Sequence, residues 1–270
     1  MTVQAGTRLL AVAGDPVAHS LSPVMHNAAI RALGLDAVYV AARTTAQAFP
    51  ALVREMLAAG GALNVTAPFK FQAATLVDEP TDEVRLTGAC NTIWGEPDRV
   101  CGDNTDIVGI RTAARALVPG TLRTATISGT GAAARSAAIA VSREWPRSII
   151  TVLSRSASRA QDFVAWAHGA GVACRHEPDP ERFDLLVSTL PAAAYDGPAG
   201  AWHFQPAAVL DMNYAWGGTS LTRKVSHLVA RCADGRGVLI AQGAAAFERF
   251  FGVPAPVEVM RRAVEDALRL

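Results

Sequence analysis

The sequence predicts an α/β fold with two domains, and three observations support that prediction. The chain has 270 residues, and at about 150 residues per domain this length favours two domains. Half of the residues are hydrophobic and 18% are charged, so there is enough apolar side-chain surface for a sizeable core. Short apolar strands alternate with helical segments of roughly 10–15 residues, which is typical of βαβ units and a mainly parallel sheet.

The elements of the first half begin with a strand over residues 9–13. A helix over residues 22–33 follows, because Ser22 is a good helix cap and Pro23 suits the first helical position. Gly34 ends this helix. The chain continues with a strand (37–42), a helix (45–59), a strand (62–65), further helix, and a hairpin of strands 92–94 and 99–101.

A second α/β series begins after residue 120. Residues 124–128 form a strand rich in β-branched residues, which runs into a glycine-rich turn and an alanine-rich helix. Further predicted elements are strand 149–153, helix 157–169, strands 185–188, 208–212 and 238–240, and helices from Gly243 and about Pro256. We place the domain boundaries near residues 107 and 237. Residues 1–107 and the C-terminal helices at 237–270 then form one domain, and residues 108–236 form the other.

Composition argues against several classes of protein. The net charge is +1 with no run of five like charges, whereas a nucleic-acid binder normally shows a basic excess. No uncharged stretch approaches the roughly 20 apolar residues that a membrane span needs. The N-terminus lacks the basic start and apolar region of a signal peptide. We therefore expect a cytoplasmic protein with small-molecule partners, no nucleic-acid or membrane partner, and a monomeric or homodimeric state.

The cysteines and histidines give no sign of a metal site. The four cysteines form no CxxC pair and the six histidines no HExxH group. We expect free, mostly structural thiols in a reducing compartment, and no metal cofactor.

A glycine-rich turn, Gly129-x-Gly131-x-x-Ala134, follows a predicted strand and opens a helix. That context is typical of a dinucleotide-binding site. The first glycine makes the tight turn, the second lets the backbone approach the pyrophosphate, and a small third residue lets helix and strand pack closely. The helix N-terminus then offers free N–H groups to the phosphates. An ordinary strand-to-helix turn is the alternative.

The end of the next strand indicates which dinucleotide is bound. NAD-binding proteins usually carry an acidic residue there for the ribose hydroxyls. Here the segment reads Leu153-Ser154-Arg155-Ser156, with Arg159 close behind and no acid before Asp162. Guanidinium and hydroxyl groups suit the 2′-phosphate of NADP through charge-assisted hydrogen bonds. A solvated basic loop is the alternative.

Polar residues of the first domain lie at predicted strand ends, where open α/β sheets bind ligands. Their hydroxyls and amides, with one lysine and one aspartate, suit a small, polyhydroxylated anion. Read singly, each has an ordinary alternative as a cap, a turn residue or a solvated side chain. The segments are Ser20-Leu-Ser-Pro23, Asn64-Val-Thr-Ala-Pro-Phe-Lys70, Gly88-Ala-Cys-Asn-Thr92 and Gly102-Asp-Asn-Thr-Asp106.

With these motifs the sequence resembles the shikimate dehydrogenase family. The first segment extends from Gly14 to Asn27, and further matches are Gly129-Thr-Gly-Ala-Ala-Ala-Arg135, Asp211-Met-Asn-Tyr214 and Gln242-Gly243 with Phe247. The matches occur in the family's order from residue 14 to about residue 250. The resemblance implies a discontinuous substrate-binding domain around a Rossmann-type NADP-binding domain. It also implies NADP-dependent reduction of 3-dehydroshikimate to shikimate in chorismate and aromatic amino-acid biosynthesis.

The resemblance also implies roles for individual residues. Lys70 and Asp106 would form the catalytic pair, in which the ammonium polarises the carbonyl and donates the proton while the carboxylate holds the lysine. Substrate would be bound by Ser20, Ser22, Asn64, Thr66, Asn91, Tyr214 and Gln242. The cofactor would be bound by Gly129, Gly131, Ala132, Ala133, Ser154, Arg155, Ser156, Arg159 and Thr189.

Three positions depart from the family pattern. Ser154 stands where an asparagine is usual, Trp216 occupies a loop that often carries proline, and the loop Ser188-Thr-Leu-Pro191 replaces an Asn-Ala-Thr type near the nicotinamide. Other possibilities are a quinate/shikimate or aminoshikimate dehydrogenase of the family, a two-domain methylene-tetrahydrofolate dehydrogenase, and a non-catalytic NADP-sensing protein. The paired serines and the arginines favour shikimate and NADP over quinate and NAD.

The order of the motifs along the chain predicts a hinged molecule. Lys70 and Asp106 precede the cofactor domain, Tyr214 lies within it, and Gln242 follows it. We expect the two domains to close around the substrate, with hinges near residues 107–110 and 236–239.

Overall fold

The computed structural model describes residues 3–177, 182–196 and 204–269 of the chain. The chain divides into two compact units: Met1–Thr105 with Leu239–Leu270, here called the first unit, and Asp106–Val238, the second unit. The boundaries predicted at residues 107 and 237 lie within two residues of this division. Each unit contains a six-stranded sheet.

The strands are β1 (Arg8–Gly14), β2 (Ala37–Arg43), β3 (Ala62–Val65), β4 (Glu79–Pro80), β5 (Thr92–Glu96), β6 (Arg99–Asp103), β7 (Thr124–Ser128), β8 (Ile149–Leu153), β9 (Cys174–His176), β10 (Arg182–Ser188), β11 (Gln205–Asp211) and β12 (Arg231–Ala233). The helices are α1 (Ser22–Ala32), α2 (Phe49–Ala58), α3 (Lys70–Ala74), α4 (Asp82–Thr87), α5 (Asp106–Leu117), α6 (Ala132–Glu144), α7 (Ala157–Gly169), α8 (Ser220–Val225), α9 (Arg236–Phe251) and α10 (Val257–Arg269). A short 3-10 helix spans Ala192–Tyr195.

The sheet of the first unit is mixed, with strand order β2-β1-β3-β5-β6-β4. β1 lies between its parallel neighbours β2 and β3, and the β5–β6 hairpin adds two antiparallel pairings. The core on one side of the sheet includes Phe49 and Val53 of α2 together with Leu63, Phe69 and Ile93. This core holds the loops after β1 and β3 against the sheet.

The sheet of the second unit is wholly parallel, in the order β12-β11-β10-β7-β8-β9. Written from the first strand of this unit, the order is 3-2-1-4-5-6, that of a Rossmann fold, and its direction reverses between β7 and β10. The strand interiors are nearly all apolar, as expected for parallel strands covered by helices on both faces. The predicted α/β class and Rossmann-type domain are confirmed.

Several predicted elements have the same bounds in the structure: strands β3, β7 and β8 and helix α7. The start of α2 was predicted four residues too early, because Pro50 lacks an N–H and fits the first turn of a helix beginning at Phe49. Ser22 is not the cap of α1 but its first residue, and the cap position is Leu21. The mainly parallel arrangement holds for both units: the second sheet is wholly parallel, and three of the five strand pairings in the first are parallel.

The predicted late strand over residues 238–240 is wrong, because these residues lie inside α9, which runs from Arg236 to Phe251. A short apolar run fits a buried strand and a buried helix equally well by sequence. The helix starts early because the carboxylate of Asp234 accepts the main-chain N–H of Arg236. Gln242 therefore lies within a helix rather than at its start.

Among residues 3–177, 182–196 and 204–269, no helix is both long and apolar enough to cross a membrane. The same residues contain no group of three or more His, Cys, Asp or Glu side chains that could hold a metal ion.

Candidate active site

The loops after β1 and β3 of the first unit lie directly against each other. The main-chain N–H of Thr66 donates to the carbonyl of Ala13 at 2.9 Å, and that of Asp15 donates to Ala67 at 3.1 Å. Gly14 is required at this contact, because a Cβ there would lie 2.3 Å from the methyl group of Thr66. The half-buried Thr66 side chain is therefore placed by the close approach of two backbones.

The paired serines occupy the start of α1. Ser20 is half-buried, and its hydroxyl accepts the main-chain N–H of Ser22 at 3.3 Å. Ser22 is buried in the first turn of the helix, followed by Pro23. The two hydroxyls thus lie where the unpaired N–H groups of a helix N-terminus favour an anion.

Two predicted substrate-binding amides are joined in one buried hydrogen-bond network. Asn64 Nδ2 donates to the main-chain carbonyl of Asn91 at 3.2 Å and to Thr92 Oγ1 at 3.1 Å. Asn64 Oδ1 accepts the hydroxyl of Tyr39 at 2.7 Å. Asn64 is 5% exposed and Asn91 2% exposed, so both side chains are held in fixed orientations.

The network continues to the main chain before α5 and to α9. Asn91 Oδ1 accepts the main-chain N–H of Thr105 at 2.8 Å and the Thr92 hydroxyl at 2.9 Å. Asn91 Nδ2 donates to Gln242 Oε1 at 3.4 Å, and Gln242 Nε2 donates to the carbonyl of Leu239 at 2.9 Å. The structure therefore brings Asn64, Asn91 and Gln242 together within the first unit.

A second set of contacts supports this network at the end of β6. Asp103 is buried, and its carboxylate accepts the Thr81 hydroxyl at 2.8 Å and the N–H of Asn104 at 2.7 Å. Arg249 of α9 donates to the same carboxylate at 3.0 Å and lies over the ring of Trp94. These bonds tie α9 to β6 and so fix the helix that carries Gln242.

The predicted catalytic pair lies at two helix starts. Lys70 is the half-buried first residue of α3, and its carbonyl accepts the N–H of Cys90 at 2.9 Å. Asp106 is buried and is the first residue of α5, directly after Thr105 of the amide network. Lys70 belongs to the first unit and Asp106 is the first residue of the second.

Three buried groups near this site have strongly shifted pKa values. Burial lowers the pKa of His26 to about 3 and raises that of the Cys90 thiol to about 12. Burial also raises the pKa of Tyr39 well above its ordinary value. All three groups are therefore uncharged at neutral pH, and the Tyr39 hydroxyl remains a hydrogen-bond donor.

The glycine-rich turn of the second unit has the geometry that a dinucleotide requires. Gly129 has φ +109°, and a Cβ there would lie 2.4 Å from Thr189 Oγ1. A Cβ on Gly131 would instead point into open space. Gly131 is the cap residue of α6 and has no side chain, so the first-turn N–H groups, including those of Ala132 and Ala133, are open to a phosphate. These features fit a pyrophosphate group.

The residues proposed to hold the 2′-phosphate lie at the start of α7. Ser154 Oγ accepts the N–H of Ser156 at 3.2 Å, and Ser156 caps the helix by accepting the N–H of Arg159 at 3.4 Å. Arg155 and Arg159 are both exposed. Two exposed guanidiniums at a helix N-terminus suit a phosphate dianion, so the donor set fits NADP.

Thr189 and Tyr195 follow β10 in the chain and support the glycine turn. Thr189 Oγ1 donates to the carbonyl of Ser128 at 2.7 Å, which holds its side chain beside Gly129. The Tyr195 hydroxyl lies 3.1 Å from Ser128 Oγ and 2.9 Å from Ser188 Oγ. Tyr195 was missed by sequence reasoning because it lies outside the motifs, in a 3-10 helix.

Tyr214 follows β11 and is half-buried in the second unit. The preceding turn is held by Asp211, whose buried carboxylate accepts two N–H groups of Asn213 and the hydroxyl of Thr219. Asn213 Nδ2 also donates to the carbonyl of Leu190 at 2.8 Å. The motif Asp211-Met-Asn-Tyr214 thus positions the loop that carries the tyrosine.

Sequence reasoning also missed Tyr39, Thr92 and Thr105 as parts of the amide network. Thr92 and Thr105 lie inside the quoted motifs, so their position beside Asn91 and Asp106 was an available signal. Tyr39 lies in an edge strand with no polar motif around it, and only the fold brings it to Asn64.

Comparison with known proteins gives consistent matches over the whole chain. The family model described as shikimate dehydrogenase substrate binding domain matches residues 12–93, and the model described as shikimate 5′-dehydrogenase C-terminal domain matches residues 235–265. The shikimate dehydrogenase (NADP(+)) of Geobacter metallireducens is 36% identical, with 100% of both chains covered. That of Methanopyrus kandleri is 34% identical, with 100% of this chain and 99% of the other covered.

The fold agrees with a solved structure of similar sequence. Shikimate 5-dehydrogenase from Thermus thermophilus, in complex with NADP(H) and shikimate, superposes with a TM-score of 0.83 at 31% identity. The match covers 96% of this chain and 99% of that chain.

Proposed function

The chain belongs to the shikimate dehydrogenase family, and we propose that it catalyses the reversible, NADP(H)-dependent reduction of 3-dehydroshikimate to shikimate. The observation that carries the proposal is the buried amide network of Asn64, Asn91 and Gln242 in the first unit. Fixed neutral amides bind hydroxyl groups without adding charge, which suits a ring with several hydroxyls. The serines at the start of α1 suit the substrate carboxylate.

The residues of the second unit support NADP as the cofactor. Gly129 and Gly131 leave space for the pyrophosphate, and Arg155 and Arg159 are exposed beside the cap of α7. No acidic residue occupies the end of β8, where NAD-binding proteins usually hold the ribose hydroxyls. NADPH, when bound, supplies the hydride.

Lys70 and Asp106 are proposed to handle the proton. The Lys70 ammonium polarises the ketone and donates its Nζ proton to the oxygen as the C–H bond forms, so the alcohol is produced without a free alkoxide. Asp106 is proposed to hold Lys70 in place, and its neighbour Thr105 belongs to the amide network. Positioned acid–base groups contribute roughly 10²- to 10⁴-fold in rate.

The test is the absorbance change of NADP(H) with purified protein and shikimate, quinate and aminoshikimate in parallel, each with NADP and NAD. Highest kcat/KM for shikimate with NADP supports the proposal. Lys70→Ala serves as the control for contaminating activity. Preference for quinate with NAD would redirect the assignment within the family, and inactivity with all three substrates would refute it.

The resemblance further places this reaction in chorismate and aromatic amino-acid biosynthesis. The test is to express this chain in a strain that lacks its own shikimate dehydrogenase. Growth of that strain without added aromatic amino acids would support the role. Cytoplasmic location and a monomeric or homodimeric state stay predictions from the sequence.

A further inference from the structure

We propose that Tyr39 is a positioning residue for substrate binding, whose hydroxyl holds the acceptor Oδ1 of Asn64 in place within a network that continues through Thr92 to Asn91. The inference rests on the proposed function, since it concerns how the same site recognises hydroxyl groups. Tyr39 is 1% exposed, so it acts through its neighbours and is not itself a catalytic residue.

The orientation of Asn64 follows from the main chain beside it. The carbonyl oxygen of Asn91 can only accept a hydrogen bond, so the Asn64 atom 3.2 Å from it must be Nδ2. Asn64 Oδ1 then faces Tyr39, and the Tyr39 hydroxyl must donate across the 2.7 Å between them. The reversed amide would place two carbonyl oxygens together and leave the tyrosine without an acceptor.

The same bonds decide what Asn64 offers to a ligand. Its two Nδ2 hydrogens are donated to the Asn91 carbonyl and to Thr92 Oγ1. Oδ1 accepts one hydrogen bond from Tyr39 and retains a second lone pair. Asn64 therefore presents an acceptor, and it recognises a substrate hydroxyl that donates.

Asn64 and Asn91 are joined through Thr92. Thr92 Oγ1 accepts from Asn64, donates to Asn91 Oδ1, 2.9 Å away, and also lies 3.2 Å from Thr105 Oγ1. The main-chain N–H of Thr105 also donates to Asn91 Oδ1. Asn91 Nδ2 consequently faces Gln242, so the chain of bonds ends at a third predicted substrate-binding side chain.

Residues of α1 contact both the main chain and the ring of Tyr39. Asn27 of α1 donates to the Tyr39 carbonyl at 2.8 Å and accepts the Tyr39 N–H at 2.9 Å. These are groups of an edge strand that face away from β1. The ring of His26 stacks on the tyrosine ring at 4.3 Å and 3°. The consecutive His26 and Asn27, part of the motif that begins at Gly14, thus fix the donor at the head of the network.

The primary test is Tyr39→Phe, which keeps the stacked ring and removes the hydroxyl. Asn64 Oδ1 then loses its donor, and the amide is held only by the two bonds that Nδ2 makes to the Asn91 carbonyl and to Thr92 Oγ1. We expect the KM for shikimate to rise about 5- to 150-fold, the range for one buried acceptor left unpaired, and the KM for NADP to stay within twofold. A KM for shikimate within twofold of wild type overturns the proposal.

A double-mutant cycle separates positioning from general destabilisation. In an Asn64→Ala background the Tyr39 hydroxyl has no amide to orient, so Tyr39→Phe should change the KM for shikimate by less than twofold. An equal effect in both backgrounds would mean that the hydroxyl acts structurally, and the proposal would fail.

Two further variants keep the test decisive if Tyr39→Phe folds poorly. Thr92→Val breaks the same chain of bonds and should raise the KM for shikimate by a similar factor, whereas Thr92→Ser keeps the hydroxyl and should stay near wild type. Equal KM values for these two variants would contradict the proposal.

The same assay on the wild-type enzyme separates a failure of the role of Tyr39 from a failure of the proposed function. Wild-type turnover of shikimate with an unchanged KM in Tyr39→Phe overturns only the role of Tyr39. A wild type that turns over no shikimate removes the proposed function, and the role of Tyr39 with it.

Discussion

The two units form their predicted binding sites by different means. In the first unit, Asn64, Thr92 and Asn91 are buried and bonded to one another through their side chains. In the second unit, the glycine turn offers main-chain N–H groups, and the side chains proposed for the phosphate, Arg155 and Arg159, are exposed. The predicted substrate site is therefore held by side-chain hydrogen bonds, whereas much of the predicted cofactor site takes its geometry from backbone and from exposed charged groups.

This difference has a physical basis in what each site must distinguish. Hydroxyl groups on a ring are told apart by the direction of hydrogen bonds, which requires amides held rigidly by hydrogen bonds to neighbouring protein groups. A phosphate carries charge in every direction, so flexible guanidiniums bind it without a single fixed orientation. The consequence is that substitutions in the two units should separate substrate effects from cofactor effects.

The largest effect is expected at the catalytic pair. Lys70→Ala and Asp106→Ala should each lower kcat roughly 10²- to 10⁴-fold, or about 3–5.5 kcal/mol, because both act on the proton rather than on binding. Because they act as one unit, the double variant should lose much less than the product of the single losses. Steady-state kinetics with shikimate and NADP measures kcat for the single and double variants, and circular dichroism checks that each is folded. A single variant with wild-type kcat would exclude that residue from the chemistry.

The next effect concerns the backbone of the cofactor site. Gly129→Ala should destabilise the protein by about 2–3 kcal/mol, because φ +109° is strained for alanine and the new Cβ meets Thr189. Gly131→Ala is the matched control. Its Cβ meets nothing within 4 Å, so unfolding should change by less than about 1 kcal/mol while the KM for NADP rises. Urea unfolding of both variants tests this, and equal losses of stability would contradict the geometry.

A smaller effect is expected at the charged part of the cofactor site. Arg155→Ala should raise the KM for NADP about 10- to 100-fold, because a hydrogen bond to a charged group contributes about 1.5–3 kcal/mol. The KM for NAD and for shikimate should change by less than twofold. Arg143→Ala, at the far end of α6, is a control for the loss of one positive charge. A wild type with equal kcat/KM for NADP and NAD would argue against the phosphate role.

The smallest effect is expected at His26, a buried histidine of the first unit whose ring stacks on Tyr39. His26 is buried with a pKa of about 3, below its ordinary value of about 6.5. The unfolded chain therefore binds an extra proton between these values, so stability is fully present above about pH 6.5 and falls as the pH decreases toward 3. At pH 5 the loss is about 2 kcal/mol, from roughly 1.5 pH units at about 1.4 kcal/mol each.

His26→Phe should remove this part of the pH dependence while keeping an aromatic ring stacked on Tyr39. Urea unfolding at pH 7 and pH 5 measures the difference, and His227→Gln, at an exposed position, should retain the wild-type slope. An unchanged slope in His26→Phe would mean that the imidazole is already accessible to protons in the native state.

Much of the fold was predictable because local signals agreed with the final packing. Strands β3, β7 and β8 are short apolar runs bounded by polar or glycine residues, and helix α7 follows a serine cap. The prediction failed where local signals were ambiguous. Residues 238–240 are apolar enough for a strand, but they continue a helix whose buried face extends to Phe247 and Phe250.

The sequence by itself determined the α/β class and the Rossmann-type domain, because these depend on periodicity and on residue spacing along the chain, and its motifs carried the resemblance to the family. Only the tertiary structure decided how the motif residues are oriented. Asn64 and Asn91 are far apart in sequence, and their amides are fixed by Tyr39 and Thr105, which come from other elements. Hydrogen-bond direction is a property of groups brought together by folding, so no local pattern encodes it.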